Sequence, residues 1–173
     1  MKIEIVIYKI LSFILLPVAA VMGLICFLSL LTALANPTML ISVFLNACMV
    51  IYIIASFIFL TKGIDNNKRC KPVLRDWIRI NGIITFVFYL LATVVFIAVK
   101  FNQSLLNDGI RQMESQGTLP PGVSVAELTI YMNAFINIFL ILGILLLVHI
   151  LITFRLLQRF RNLFEQETMD IEQ

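Results

Sequence analysis

Four long runs of apolar residues without Asp, Glu, Lys or Arg constrain this chain more than any other feature. They cover about residues 10–35, 39–61, 80–99 and 128–154. Each run has the ~20 mainly apolar residues that a helix needs to cross a bilayer. Leu, Ile, Val and Phe occupy all sides of each run, whereas barrel strands would alternate polar and apolar residues. The runs therefore predict an all-α integral membrane protein with four transmembrane helices.

The composition agrees with this prediction and argues against other classes of protein. Hydrophobic residues make up 61% of the 173 residues and charged residues only 13%, against ~25% charged residues in a soluble domain. A soluble chain of this length could not hide so much apolar surface in one core. The sequence thus argues against a soluble enzyme, a nucleic-acid-binding domain and a disordered segment. It predicts the lipid bilayer as a partner, and no nucleic acid.

The distribution of Lys and Arg predicts the orientation of the spans. Two of these cations precede the first run, six lie between the second and third, and three follow the fourth. Only Lys100 and Arg111 lie on the opposite side. Because basic loops stay in the cytoplasm, both termini are expected there. The prediction is a multi-pass protein of the plasma membrane (the inner membrane in a bacterium), with two antiparallel helical hairpins forming one four-helix domain.

The first run has a second interpretation. Ala33-Leu34-Ala35 resembles a signal-peptidase site, and Lys2 and Lys9 would make a positive n-region. The apolar stretch before that site has ~25 residues, whereas the h-region of a signal peptide has ~7–15. The length favours an uncleaved span, while cleavage would leave three spans and an N-terminus outside.

The outer connections carry turn and capping residues. Asn36-Pro37-Thr38 predicts a tight turn, because proline cannot continue an ordinary helix. In the outer loop, residues 100–127, an apolar stripe predicts an amphipathic helix that continues the third span to about Gln116. Ser124 and Glu127 match a capping box at the start of the fourth span. The stripe consists of Phe101, Leu105, Ile110 and Met113.

The inner loop, residues 62–79, is the most basic segment, with six cations and two acids. Pro72 suits the first turn of a short helix, with Ile78 among the residues expected to face lipid. The simpler interpretation of the charge is a topology signal in contact with anionic headgroups, and the alternative is docking of an acidic soluble partner or a particular lipid. The candidate contact residues are Lys68, Arg69, Lys71, Arg75, Trp77 and Arg79.

The cytoplasmic C-terminal tail, residues 155–173, begins as a continuation of the fourth helix. Its apolar face is expected at the lipid headgroups, and its acidic end is expected to be frayed. The apolar face consists of Leu156, Leu157, Phe160, Leu163 and Phe164.

Polar residues inside the spans are few and uncharged, apart from His149. The lack of a membrane carboxylate argues against an ion-coupled antiporter. One polar layer, toward the outer side, either joins the helices by hydrogen bonds or lines a polar cavity. Its members are Ser29, Asn46, Thr93, Asn133 and Asn137.

A second polar layer lies nearer the cytoplasm and contains Ser56, Thr85, Tyr89 and His149. Since histidine titrates near neutral pH, His149 is a candidate pH-sensitive site, although a lone histidine at this depth is more often a packing residue. In the first span, small residues form a candidate helix-contact face, toward another helix of this chain or another subunit. That face consists of Ala19, Gly23, Cys26 and Ala33.

Signatures of catalysis are missing from the sequence. It has no Cys-x-x-Cys pair, no second histidine for haem, no Gly-rich phosphate loop and no Gly-x-Ser-x-Gly. Its three cysteines form no disulfide or metal pattern. We therefore predict no cofactor, no metal and no catalytic residue.

These observations favour a non-enzymatic structural, accessory or regulatory component of a membrane assembly. Its partner would be another membrane protein or a second copy of the chain. The alternative is a transporter or channel for a small neutral or lipophilic solute, based on Asn46, Thr93 and Asn137. A third interpretation is a lipid-directed membrane enzyme with His149 as base.

Overall fold

A computed structural model describes residues 2–118 and 122–164 of the chain. This part consists of helices and short connections, and it contains no strand. The five α-helices are α1 (Lys2–Ala35), α2 (Leu40–Ile58), α3 (Pro72–Phe101), α4 (Gln103–Ser115) and α5 (Val125–Arg159). A 3-10 turn, Pro37–Met39, precedes α2, a π-helical segment, Phe59–Asp65, extends it, and a 3-10 turn, Arg161–Phe164, follows α5. The predicted all-helical class is confirmed for these residues.

Four of the helical segments in the described residues are long and apolar enough to cross a membrane, which agrees with the predicted multi-pass protein. They are Ile3–Ala35, Pro37–Asp65, Pro72–Phe101 and Val125–Arg159. Each is longer than the apolar run from which it was predicted, because the helices continue into polar sequence at one or both ends. A helix of 30 residues is about 45 Å long, against a hydrocarbon core of about 30 Å.

The chain divides into two compact units. Unit 1 is Met1–Phe88 with Leu146–Gln173, and unit 2 is Tyr89–Leu145. Helices α3 and α5 each contribute residues to both units. The predicted acidic end of the tail, and Pro120 and Pro121 of the outer loop, lie outside the described residues.

In unit 1, α1 packs along α2. The Cys26 thiol donates to the Val43 carbonyl at 3.5 Å. Nearer the start of α1, the rings of Phe13 and Phe57 meet edge to face with their centres 5.5 Å apart. Later residues of α1 thus meet earlier residues of α2. The turn between these helices is capped by Asn36, whose side chain accepts from the Thr38 amide.

The inner loop of unit 1 is shorter than predicted, because the helix after α2 widens into π turns instead of stopping at residue 61. The close approach of Gly63 to Phe59 explains the glycine: a Cβ at this position would lie 3.0 Å from the phenyl ring. Ile78, expected to face lipid, is instead fully buried. The short helix predicted at Pro72 is the beginning of α3 itself.

The C-terminal residues pack onto the inner loop. The Cys70 amide donates to the Leu163 carbonyl at 2.8 Å, and the Phe164 ring lies 5.4 Å from that of Phe59. Phe164 is buried, so the turn after α5 covers a protein surface rather than only the headgroups. Burial also raises the pKa of the Cys70 thiol, and the charge of Lys62 lowers it in part. A thiol with a raised pKa is a poor nucleophile.

Unit 2 has a small apolar core. Asn102 leaves helical geometry (φ −121°, ψ 83°) and separates α3 from α4, so the predicted extension of the third span is a separate helix. Its buried face also differs from the predicted stripe, because Phe101 and Leu105 are exposed. The core cluster consists of Leu106, Ile110, Ile136 and Leu140.

The predicted capping box at the start of α5 is confirmed. The Ser124 amide donates to the Glu127 carboxylate at 2.9 Å, and the Glu127 amide donates to the Ser124 hydroxyl at 3.3 Å. Reciprocal bonds of this kind satisfy amides that have no partner inside the helix.

Candidate functional site

The candidate site is a cluster of polar side chains around His149 in unit 1. Three helices each contribute two residues four positions apart, a spacing that puts both on one helix face. Every member is at most 1% exposed. This histidine cluster consists of Tyr8 and Ser12 of α1, Tyr52 and Ser56 of α2, and His149 and Thr153 of α5.

Both ring nitrogens of His149 have partners on other helices. The Ser12 Oγ lies 2.9 Å from Nε2, and the Tyr52 hydroxyl lies 2.8 Å from Nδ1. The same Tyr52 hydroxyl lies 2.8 Å from the Thr153 Oγ1. Thr153 in turn donates to the His149 carbonyl at 2.7 Å. The bonds connect α1, α2 and α5 through one imidazole.

The directions of these hydrogen bonds follow from counting protons. Thr153 has one hydroxyl proton, which it donates to the carbonyl, so its oxygen accepts from Tyr52. Tyr52 has then used its own proton and must accept from His149 Nδ1–H. The neutral imidazole carries one N–H, so Nε2 accepts from Ser12. For a neutral His149, the cluster therefore assigns the ring proton to Nδ1, with every proton in this chain of bonds in use.

Tyr8 encloses the imidazole from one side. Its ring stacks on His149 with centres 4.9 Å apart and planes inclined by 19°, while Tyr52 meets the imidazole edge to face. The Tyr8 hydroxyl donates to the Ser56 carbonyl at 2.9 Å. That carbonyl lies three residues before the helix widens into π turns.

The arrangement of Ser12, His149 and Tyr52 has a formal likeness to a catalytic unit. A hydroxyl lies within hydrogen-bond distance of a histidine that a third side chain orients, as in nucleophilic catalysis. In enzymes the orienting group is usually a carboxylate that stabilises the imidazolium, whereas here it is a neutral phenol. Ser12 is 1% exposed and His149 fully buried, so no substrate reaches either in this conformation.

The second polar layer predicted from the sequence is only partly assembled. Ser56 and His149 belong to the histidine cluster, and Thr85 is buried in unit 1 without a hydrogen-bond partner for its hydroxyl among the residues described. Tyr89 belongs to unit 2. The tyrosines of the cluster, with Ser12 and Thr153, were missed. The signal that could have found them is the recurrence of polar residues four apart in three apolar helices.

The outer polar layer is distributed over both units. In unit 1, the Asn46 amide donates to the Ser42 carbonyl of its own helix at 3.1 Å, and Ser29 is half-buried. In unit 2, Asn137 accepts from the Lys100 ammonium, Asn133 accepts from Gln103 at 3.4 Å, and Thr93 is buried. The bonds of these amides thus go to their own helix or to exposed side chains near the end of α3 and the start of α4.

Two of the small residues of α1, Gly23 and Cys26, contact α2, and the other two are buried. Ala19 and Ala33 are buried, and a Cβ on Gly23 would lie 3.6 Å from Val50. Cys26 bonds to the Val43 carbonyl. The geometry agrees with the interpretation of these residues as a contact within the chain.

The basic residues of the inner loop are mainly at the surface. Lys68, Arg69, Lys71 and Arg79 are exposed, and Arg75 pairs with its neighbour Asp76 at 3.4 Å. Trp77, predicted at the interface, is 51% exposed. In the part of the chain that the structure describes, no three His, Cys, Asp or Glu residues form a group that could hold a metal ion.

Comparisons of the chain with models of protein families, with curated proteins and with solved structures found no match. Functional arguments therefore depend on the geometry of this chain.

Proposed function

We propose that this chain is a non-enzymatic multi-pass membrane protein that acts as a structural, accessory or regulatory component of a membrane assembly. The observation that carries this proposal is the closed hydrogen-bond chain of the histidine cluster. Both nitrogens of His149 and the hydroxyls bonded to them satisfy one another. Polar groups in a membrane protein are costly unless paired, and such pairing holds helices together. The cluster supports a clamp between three helices rather than a site that is open to a substrate.

We further propose the arrangement of two antiparallel hairpins in one four-helix domain, with both termini in the cytoplasm. Three contacts of unit 1 support termini on the side of the inner loop. Lys9 pairs with Asp65 at 2.6 Å, and Glu4 lies 3.8 Å from Arg159. The Cys70 amide bonds to Leu163. The start of α1, the connection between α2 and α3, and the end of α5 with the turn after it thus meet one another, and these are the basic parts of the chain.

The contacts of α1 with the histidine cluster support an uncleaved first span. Tyr8 and Ser12 belong to α1 and supply two of the bonds of the histidine cluster. Removal of residues 1–35 would leave Nε2 of His149 without its partner in a buried position. We therefore propose that α1 stays in the mature protein.

The role in an assembly is tested by native mass spectrometry of the chain, extracted gently from its own membranes at native expression. We expect a complex that contains a second polypeptide in fixed stoichiometry. If the spectra show nothing but monomers or homo-oligomers that retain a small solute, the result would contradict the accessory role and favour transport.

Because Gly23 lies against Val50, Gly23→Ile would test packing within the chain. Outward-facing Leu24, which is 62% exposed, is the better position to test a partner.

The absence of catalysis is tested with a fluorophosphonate probe, which labels activated serines. The purified full-length protein in nanodiscs is expected to remain unlabelled at Ser12, because the hydroxyl is buried and the phenol of Tyr52 is a weak orienting group. The Ser12→Ala variant is the control for background labelling. Stoichiometric labelling that Ser12→Ala abolishes would show that the serine is activated and reached from outside, and it would overturn this part of the proposal.

A further inference from the structure

An apolar groove lies between the end of α2 and the start of α3 in unit 1. Its volume is about 370 Å³, within the ~300–1,000 Å³ of small-molecule sites. One wall is formed by residues of α2 that include Ile54 and Ile58, and the other by Val73 and Trp77 of α3. All the lining side chains are apolar except Lys71 and the indole N–H of Trp77. We name this feature the Trp77 groove.

Lys71 gives the Trp77 groove a charge at its end. The lysine is exposed and directly precedes α3. The two acids of the inner loop are engaged elsewhere, Asp65 with Lys9 and Asp76 with Arg75. In residues 2–118 and 122–164, no carboxylate lies within ion-pair distance of the Lys71 ammonium. An apolar groove therefore ends at a cation that the described part of the chain does not neutralise.

The groove also runs along the helix axis, from the inner loop into the apolar part of α2, as the acyl chain of a lipid would. Its α2 wall extends from Ile58, near the inner loop, back to Ile51 inside the apolar part of the helix. Seven residues of helix cover about 10 Å. Trp77 lines the same groove as Lys71, and tryptophan is enriched at the level of the headgroups. The charged end thus lies at the depth of phosphates, and the apolar end at the depth of acyl chains.

We propose that the Trp77 groove binds one anionic phospholipid, with an acyl chain along α2 and the phosphate on Lys71. Anionic lipids are attracted to basic segments next to transmembrane helices. An acidic soluble peptide would have to enter the apolar depth of the groove, where its backbone amides would lose their hydrogen bonds to water. The site goes beyond the proposed role in an assembly, and it requires only that α2 and α3 are embedded in lipid.

Trp77 provides a local probe, because it is the only tryptophan of the chain. The full-length protein is placed in phosphatidylcholine bilayers that contain a minor fraction of either brominated phosphatidylglycerol or brominated phosphatidylcholine. Bromine quenches tryptophan fluorescence at short range, so the quenching reports which lipid occupies the groove. We expect stronger quenching by the anionic lipid. Lys71→Gln is expected to reduce this preference about fivefold, as one cation contributes about 1 kcal/mol at an anionic surface.

Two matched controls separate the site from general effects. Arg111→Gln removes a cation from α4 and is expected to keep the preference for the anionic lipid. Val73→Phe adds bulk inside the groove and is expected to reduce quenching by both lipids. Val87→Phe makes the same change on the same helix at similar exposure (51% against 60%) outside the groove, and it is expected to have no effect.

The outcomes distinguish failure of the site from failure of the membrane proposal. Equal quenching by both lipids, unchanged by Lys71→Gln, would overturn the anionic-lipid site and leave membrane embedding intact. No quenching by either lipid would mean that another protein surface or a second copy covers Trp77, or that α3 is not in lipid. That result would overturn the site, and cross-linking between copies would show whether a second copy is the cause.

Discussion

The two units differ in the surroundings of their hydrogen-bonded polar side chains. Unit 1 buries a histidine, two tyrosines and three hydroxyl residues completely and joins them by hydrogen bonds. Unit 2 has an apolar core, and its Asn133 and Asn137 accept from Gln103 and Lys100 at the surface. Asn137 and His149 lie in the same apolar run and were each predicted to belong to a polar layer between helices. What separates them is the neighbouring helix, which offers His149 bonded partners on both sides and Asn137 a flexible cation.

The comparison indicates which polar substitutions should lower the free energy of unfolding. A buried group that loses its partner bears the full cost of desolvation, whereas an exposed group returns to water. Polar substitutions in the histidine cluster of unit 1 are therefore expected to affect stability, and those at exposed positions of unit 2 to have little effect. This difference can be tested with matched pairs of variants.

The largest effect is expected for His149→Ala. The change removes the stacked ring, leaves a cavity, and leaves the hydroxyls of Ser12 and Tyr52 without their partner. A loss of about 3–5 kcal/mol in the free energy of unfolding is expected, as for other large-to-small changes in cores. Steric trapping in bicelles measures it.

The matched variant in unit 2 is Asn137→Ala, at an exposed position. Its effect is expected to stay within about 0.5 kcal/mol. Comparable losses for the two variants would contradict the distinction between the units.

A smaller loss is expected for Tyr52→Phe, which keeps the ring and removes only the hydroxyl. His149 Nδ1–H and Thr153 Oγ1 then lose their shared partner. We expect a loss of about 1–2 kcal/mol, near the upper end measured for hydrogen bonds between membrane helices. Tyr131→Phe, at a position that is 63% exposed, is the control and is expected to be neutral.

Nitrogen NMR of the imidazole checks the assignment that underlies this prediction. The spectrum of the wild type is expected to show a neutral ring protonated on Nδ1. A ring protonated only on Nε2 would mean that the proton count is wrong, whatever the stability of Tyr52→Phe.

The smallest effects, and of opposite sign, are expected for two glycines. A Cβ on Gly82 would lie 3.0 Å from the Phe154 ring and 3.2 Å from the Tyr52 ring. The clash in Gly82→Ala is expected to outweigh the gain in helix propensity and to cost about 1 kcal/mol. Nothing lies within 4 Å of a Cβ on Gly109, so Gly109→Ala is expected to stabilise α4 by about 0.5–1 kcal/mol. Thermal unfolding of both variants measures the signs, and a stabilising Gly82→Ala would contradict the tight packing.

Features of the fold that depend on local chemistry were predictable. The four apolar runs, the turn at Pro37 and the capping box of Ser124 each follow from residues close in sequence, and the structure has all three. The buried face of α4 was not predictable, because Leu105 and Leu106 are equally apolar and only the packing of α5 decides which is covered. The prediction that Ile78 faces lipid was wrong for the same reason, since its hydrophobicity does not show whether lipid or protein covers it.

The candidate site also has one part that was predictable from the sequence and another part that was not. His149 was recognisable as the one histidine of the chain, inside a span, but its partners were not, since Tyr8 and Tyr52 are separated from it by 141 and 97 positions in the sequence. The repeated spacing of four within each helix was present in the sequence. It defines three polar helix faces without indicating that they meet.

By itself, the sequence determined that the chain is helical and apolar enough for a membrane, because the length of each run and its lack of charge are local properties. The tertiary structure alone decided which polar residues are joined, which apolar residues are inside, and where a groove remains between α2 and α3. The physical reason is that lipid-facing and core-facing sides are almost equally apolar in this chain. Hydrophobicity therefore does not distinguish these two sides, and only the geometry of neighbouring helices does.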